Sequence, residues 1–125
     1  MTGRQLFVFA ASDAMAYCYH YAMHHVDSHH MQHHRDPQDS LTLRRASLVS
    51  GVFIIAASSS FRLGVLPLGY WSAITCMHPL MHSCTFTWWP MAYLQRRHRL
   101  HHERGDVNYG PIFPFIDMLC GTESY

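Results

Sequence analysis

Apolar, uncharged residues run from Gln5 to Ser12, and the stretch from Asp13 to His25 continues without glycine or proline. This pattern predicts one helix from about Leu6 to His25, with Asp13 as an interruption. Pro37, flanked by Asp36 and Asp39, then supplies a turn and a cap signal, so a second helix is expected to begin near Leu41. From Ala46 to Phe61 there are sixteen residues without a charge, slightly short of the roughly 20 that cross a bilayer. The segment Ser58–Gly64 reads as a turn joining this run to the next apolar one, Val65–Met77. Together they suggest a helical hairpin that dips into or crosses a membrane. Arg44 and Arg45 sit at one base, Arg96 and Arg97 beyond the other and Arg62 alone at the tip, a distribution that puts both bases on the cytoplasmic side. Trp88, Trp89 and Tyr93 fit either an interfacial aromatic belt or an ordinary aromatic core.

Composition narrows this picture. A chain of 125 residues with 49% hydrophobic content makes one domain, residues 1–125, with a modest core or partial lipid burial. The net charge is only +1 and the arginines scatter, which argues against nucleic acid as a partner. Cys18, Cys76, Cys84 and Cys120 form no C-x-x-C pair and no secretory leader is evident, so a disulfide framework is not expected. Small, buried apolar side chains are the expected role of these cysteines.

Histidine changes the picture most. Seven of the twelve histidines fall between His20 and Asp36, and the other five lie at His78, His82, His98, His101 and His102. Residues three and four apart share a helix face. By that rule His20 pairs with His24, His30 with His33 and His34, His78 with His82, and His98 with His101 and His102. A two-part pattern, H-x3-H then H-x2-H-H, is therefore used twice. His25 is an equally legal partner for His20, and His29 lies outside the pattern. Ten imidazoles exceed the capacity of one metal ion, which implies two. Carboxylate-bridged di-iron chemistry is unsupported, because the only glutamates are Glu103 and Glu123. H-E-x-x-H is absent. A metal-sequestering histidine tract needs neither helical spacing nor a repeat.

The four boxes, the stretch His33–Asp39 and the run His98–Gly110 with its downstream Asp117-x-Leu119-x-Gly121-Thr122 resemble the fatty acid hydroxylase and sterol desaturase superfamily. The resemblance covers about His20 to Thr122. It implies an all-α, integral-membrane helical bundle with a hairpin and a histidine-rich cytoplasmic di-metal site. The implied ligands are His20, His24, His30, His33, His34, His78, His82, His98, His101 and His102. The implied activity is O2-dependent hydroxylation or desaturation of a fatty acyl, sterol or related lipid, with electrons from a cytochrome b5-type or ferredoxin-type donor. Two ions are expected, iron for its redox chemistry, with zinc as the alternative. The implied location is a membrane, the endoplasmic reticulum in a eukaryote or the inner membrane in a bacterium.

The chain departs from the family in two ways. Only about nineteen residues precede His20, so the N-terminal membrane helices are expected to be reduced or missing. The short gap between the first two boxes is similar to the carotenoid hydroxylase branch, whereas the tail resembles the fatty acid and sterol branch. A carotenoid hydroxylase and a non-catalytic metal-binding or truncated relative are the alternatives. Asp13, Asp36, Asn108 and Asp117 are candidates to accept ring N–H groups of the ligands, with capping and turn roles as their ordinary alternatives. Pro111, Pro114 and the phenylalanines between and beside them are expected to fold the tail over the site. Arg96, Arg97, Arg99 and Arg104 are candidates to meet lipid head groups or an acidic electron donor, or else form a plain charged face.

Overall fold

Thr2 starts the first helix. Its hydroxyl accepts the Gln5 N–H at 3.3 Å while the Gln5 side chain accepts the Thr2 N–H at 2.7 Å, a reciprocal capping box. The computed structural model describes residues 2–39, 45, 48, 52 and 65–125. Helix α1 spans Gly3–Val26 and α2 spans Ser28–Arg35. One residue separates them: the Asp27 N–H closes α1 on Met23 O at 3.1 Å, and its carboxylate opens α2 by accepting the His29 N–H at 2.9 Å. Helix α2 ends at Arg35, where the expected turn at Pro37 follows.

Helix α3, Val65–Ser83, lies against α1, and α4, Met91–Arg104, lies against α2. Gly105 stops α4 with φ of 80°, its N–H donating to His101 O at 2.7 Å. A short α5, Phe115–Cys120, packs on α1. Among the described residues the architecture is all-α, as expected. Its core is small: Ala16 of α1 meets Tyr70 and Trp71 of α3, with Phe9, Ile74 and Ile112 around them.

Asp13 does not interrupt α1. It is buried inside the helix, accepting the Tyr70 hydroxyl and, at 3.5 Å, the Phe113 N–H. Burial raises its carboxyl above the usual range, against the lowering effect of those two donors. The cysteines are a further correction: all four are free and exposed, because each falls on an outward position of its helix or loop rather than on the narrow α1–α3 seam.

No helix among the described residues is long and apolar enough to cross a membrane. Apart from Arg45, Leu48 and Val52, which are helical and exposed, the first arm of the expected hairpin, its tip and the helix expected near Leu41 lie outside the described residues. The second arm is α3, whose C-terminal half holds Pro79 and two histidines. Trp88 and Trp89 are exposed rather than core residues. Buried Gln95 shapes the connection before α4, accepting the Phe86 N–H at 3.1 Å and donating to Met81 O at 2.9 Å and Cys84 O at 2.5 Å.

Candidate metal centre

Helical spacing and the two packed pairs, α1 with α3 and α2 with α4, bring the histidines into two adjoining clusters. His20, His24, His30, His34 and His101 form the first; His33, His78, His82 and His102 form the second. Within each, one ring nitrogen from every histidine lies within 4.8 Å of those of the others. His98 borders the second cluster, its Nε2 lying 2.9 Å from His82 Nε2. The clusters touch where the His34 and His102 rings stack at 4.2 Å.

The division follows helix geometry. On α2, His30 and His34 are one turn apart and face the first cluster, while His33 turns to the second. On α4, His98 and His102 lie on the side of the second cluster, while His101 turns to the first. Each H-x2-H-H box thus lends one histidine across, and those two, His33 and His101, have no exposed surface at all. His25 is exposed and packs on Tyr21 at 4.8 Å, away from both clusters, so the alternative pairing of His20 with His25 is not the one formed.

The ring protons can be placed from their partners. His101 Nδ1 lies 2.6 Å from Val107 O and His20 Nδ1 lies 2.9 Å from Tyr109 O. A carbonyl only accepts, so both Nδ1 atoms carry the proton and both Nε2 atoms present a lone pair. His101 Nε2 faces His24 Nε2 and His34 Nε2, each at 3.1 Å, and in the second cluster His33 Nε2 faces His78 Nε2 at 3.3 Å. One lone pair cannot satisfy two such neighbours by hydrogen bonding. A shared cation does: a metal–nitrogen bond of about 2.1 Å sets neighbouring ligand nitrogens about 3.0 Å apart at a right angle and about 3.4 Å apart in a tetrahedron. His30 Nε2 is also buried without a hydrogen-bond partner. The donor set therefore fits two metal ions.

Electrostatics point the same way. Burial first, and neighbouring imidazoles second, push His24 and His33 down to about 4, His34 to about 3 and His30 to about 2. Neutral imidazole is the form that binds metal.

Among the described residues, none of the four polar residues expected to accept ring N–H groups bonds to a histidine ring. Asp36 is exposed at the end of α2, and Asp13 serves Tyr70. Asn108 clips the tail, its side chain donating to Ser124 O at 3.0 Å and accepting the Ser124 N–H at 2.9 Å. Asp117 holds backbone N–H groups of the loop that follows α4. Carbonyls of that loop take the ring protons of His20 and His101 instead, a role that leaves no mark in the sequence because every residue has a carbonyl. Tyr109, not singled out from the sequence, is buried with its ring 5.1 to 5.8 Å from those of His24, His101 and His20. Arg97 is a correction. It is buried in ion pairs with Asp117 and Glu123, because α4 turns it toward the returning tail, whereas Arg96 and Arg99 are exposed.

Next to the clusters lies an apolar pocket walled by Ala16, Trp71, Ile74, Met81, Leu94 and Ile112. His20 and His30 of the first cluster line it, as do His78 of the second and its neighbour His98.

An all-helical fold that gathers nine imidazoles into two adjoining clusters defines a histidine-cage metal-binding protein. The chain belongs to the fatty acid hydroxylase family, whose model matches residues 5–122. Members of this family are hydroxylase-type oxidoreductases and are generally membrane-associated. No curated protein and no solved structure matches the chain.

Proposed function

We propose that this chain is an O2-dependent di-metal lipid hydroxylase or desaturase, with the two histidine clusters and His98 as its ligand set. The observation that carries this reading is the apolar pocket, whose lining includes histidines of both clusters. When bound, a pair of redox-active ions, iron rather than zinc, supplies the activation of O2 needed to attack an unactivated C–H bond. Hydroxylation consumes one O2 and two electrons with two protons per alcohol and water formed, and a cytochrome b5-type or ferredoxin-type donor is the electron source.

The chain's own residues bind and orient. Trp71, Ile74, Leu94 and Ile112 receive the apolar lipid chain and exclude water from the histidines that line the pocket with them. The carbonyls of Val107 and Tyr109 hold the His101 and His20 protons on Nδ1, so that both Nε2 atoms stay unprotonated. Exposed Arg96, Arg99 and Arg104 offer a positive face to an acidic donor or to lipid head groups. The uncharged run Ala46–Phe61, with the start of α3, anchors the chain in the membrane.

The test is elemental mass spectrometry of the detergent-purified chain, followed by oxygen uptake and product analysis with fatty acyl, sterol and carotenoid substrates and a reductant. Two ions per chain and an oxygen-dependent lipid product are expected. Two ions with no product from any of these lipids would mark a non-catalytic metal-binding relative; no bound metal would overturn the reading.

A further inference from the structure

Asp117 has no exposed surface and belongs to neither histidine cluster. Its Oδ1 accepts the Tyr109 N–H and the Thr122 hydroxyl, each at 2.8 Å; its Oδ2 accepts the Gly110 N–H at 2.8 Å and meets Arg97 Nη2 at 2.8 Å. The loop so gripped is the one whose carbonyls hold His20 and His101.

Peptide geometry links the two sets of bonds. The Tyr109 carbonyl and the Gly110 N–H belong to one rigid trans peptide and point in opposite directions. Asp117 fixes the N–H end, which aims the carbonyl end at His20 Nδ1. The Val107 carbonyl likewise shares a peptide with the Asn108 N–H, which donates to Thr122 O at 2.8 Å. Thr122 is in turn held by Asp117, through its hydroxyl and through its N–H, which donates to Asp117 O at 2.8 Å. A β-carbon on Gly110 would lie 2.6 Å from Asp117 Oδ2, so only glycine lets the carboxylate reach this peptide. Asn108 completes the turn with φ of 55°, a conformation that asparagine tolerates.

We propose that Asp117 is a positioning residue for the first cluster alone: through two peptide planes it fixes the tautomer and ring direction of His20 and His101. Among the described residues, no ring nitrogen of His33, His78, His82 or His102 bonds to this loop. The inference rests on reading the clusters as metal centres and makes the two centres unequal in their support.

The experiment is a Co2+ titration of the metal-free full chain in detergent, followed by visible absorption, together with proton NMR of the slowly exchanging ring N–H groups in the Co2+-loaded protein. Wild type is expected to bind two Co2+; failure to do so would overturn the metal-centre reading itself. Asp117→Asn is expected to weaken one site about 10–100-fold, to leave the other unchanged, and to broaden or remove two shifted ring N–H resonances. Thr122→Val removes a single hydroxyl donor and is expected to give a smaller shift, about 2–10-fold, at the same site. It decides the matter if circular dichroism shows Asp117→Asn to be unfolded. Equal weakening of both sites, or two intact sites with both resonances retained, overturns the positioning role while leaving the metal-centre reading standing.

Discussion

His33 and His101 sit side by side with residues that serve the opposite cluster, and both are wholly buried. His101→Ala should lower metal affinity of the first cluster by more than about 100-fold, and His33→Ala that of the second, because loss of a ligand exceeds the 10–100-fold effect of losing a ligand's support. Either change should abolish lipid oxidation in a product assay; full activity in both variants would sink the ligand assignment. His24 and His25 provide a sharper contrast, since only His24 places its Nε2 against His101, at 3.1 Å. Elemental analysis should therefore find His25→Ala with wild-type metal content and His24→Ala depleted at one site. The spacing of the histidines was readable from the sequence, because three- and four-residue intervals on a helix determine which side chains share a face. Which cluster each would join was not readable, since that depends on where α2 and α4 lie. Buried Asp13 and Arg97 were hidden for the same reason: each is a charge whose partner, Tyr70 or Asp117 with Glu123, is distant in the chain.

The joint between α1 and α2 rests on one side chain. Asp27→Ala removes the cap that accepts the His29 N–H and should cost about 1 kcal/mol. Because α2 contributes His30, His33 and His34, the same change should loosen metal binding in both clusters. Thr2→Ala should cost a similar amount at the far end of α1 with metal affinity unchanged, since no histidine lies near that cap. Thermal unfolding with and without Co2+ separates the two outcomes; equal metal loss in both variants would refute the local role of Asp27. The stop of the histidine-rich segment at Pro37 was legible because proline and aspartate act locally. The unbroken course of α1 through Asp13 was not, because a hydroxyl and an N–H from elsewhere in the fold hold that carboxylate.

Across the whole molecule, clustered imidazoles couple stability to pH. Their folded pKa values lie below the unfolded value near 6.5, at about 4 for His24 and His33 and about 3 for His34. The unfolded chain then binds more protons, so their contribution is present above pH 6.5 and is lost as pH falls through about 4. The metal-free protein should show a melting temperature that drops steadily over this window, and a flat profile from pH 7 to pH 4 would contradict it. Bound metal should raise stability by about 2.7 kcal/mol per site when free ion is a hundredfold above the dissociation constant, and a chelator should reverse that gain. The crossing of His33 and His101 between clusters has a further consequence, for biosynthesis. Neither cluster has its full set of imidazoles until His101 and His102 have been translated, one directly after the other and late in the chain. A nascent chain that ends short of that helical turn lacks an imidazole of each cluster, so metal ions should not be held at full affinity before this last part of the polypeptide is made.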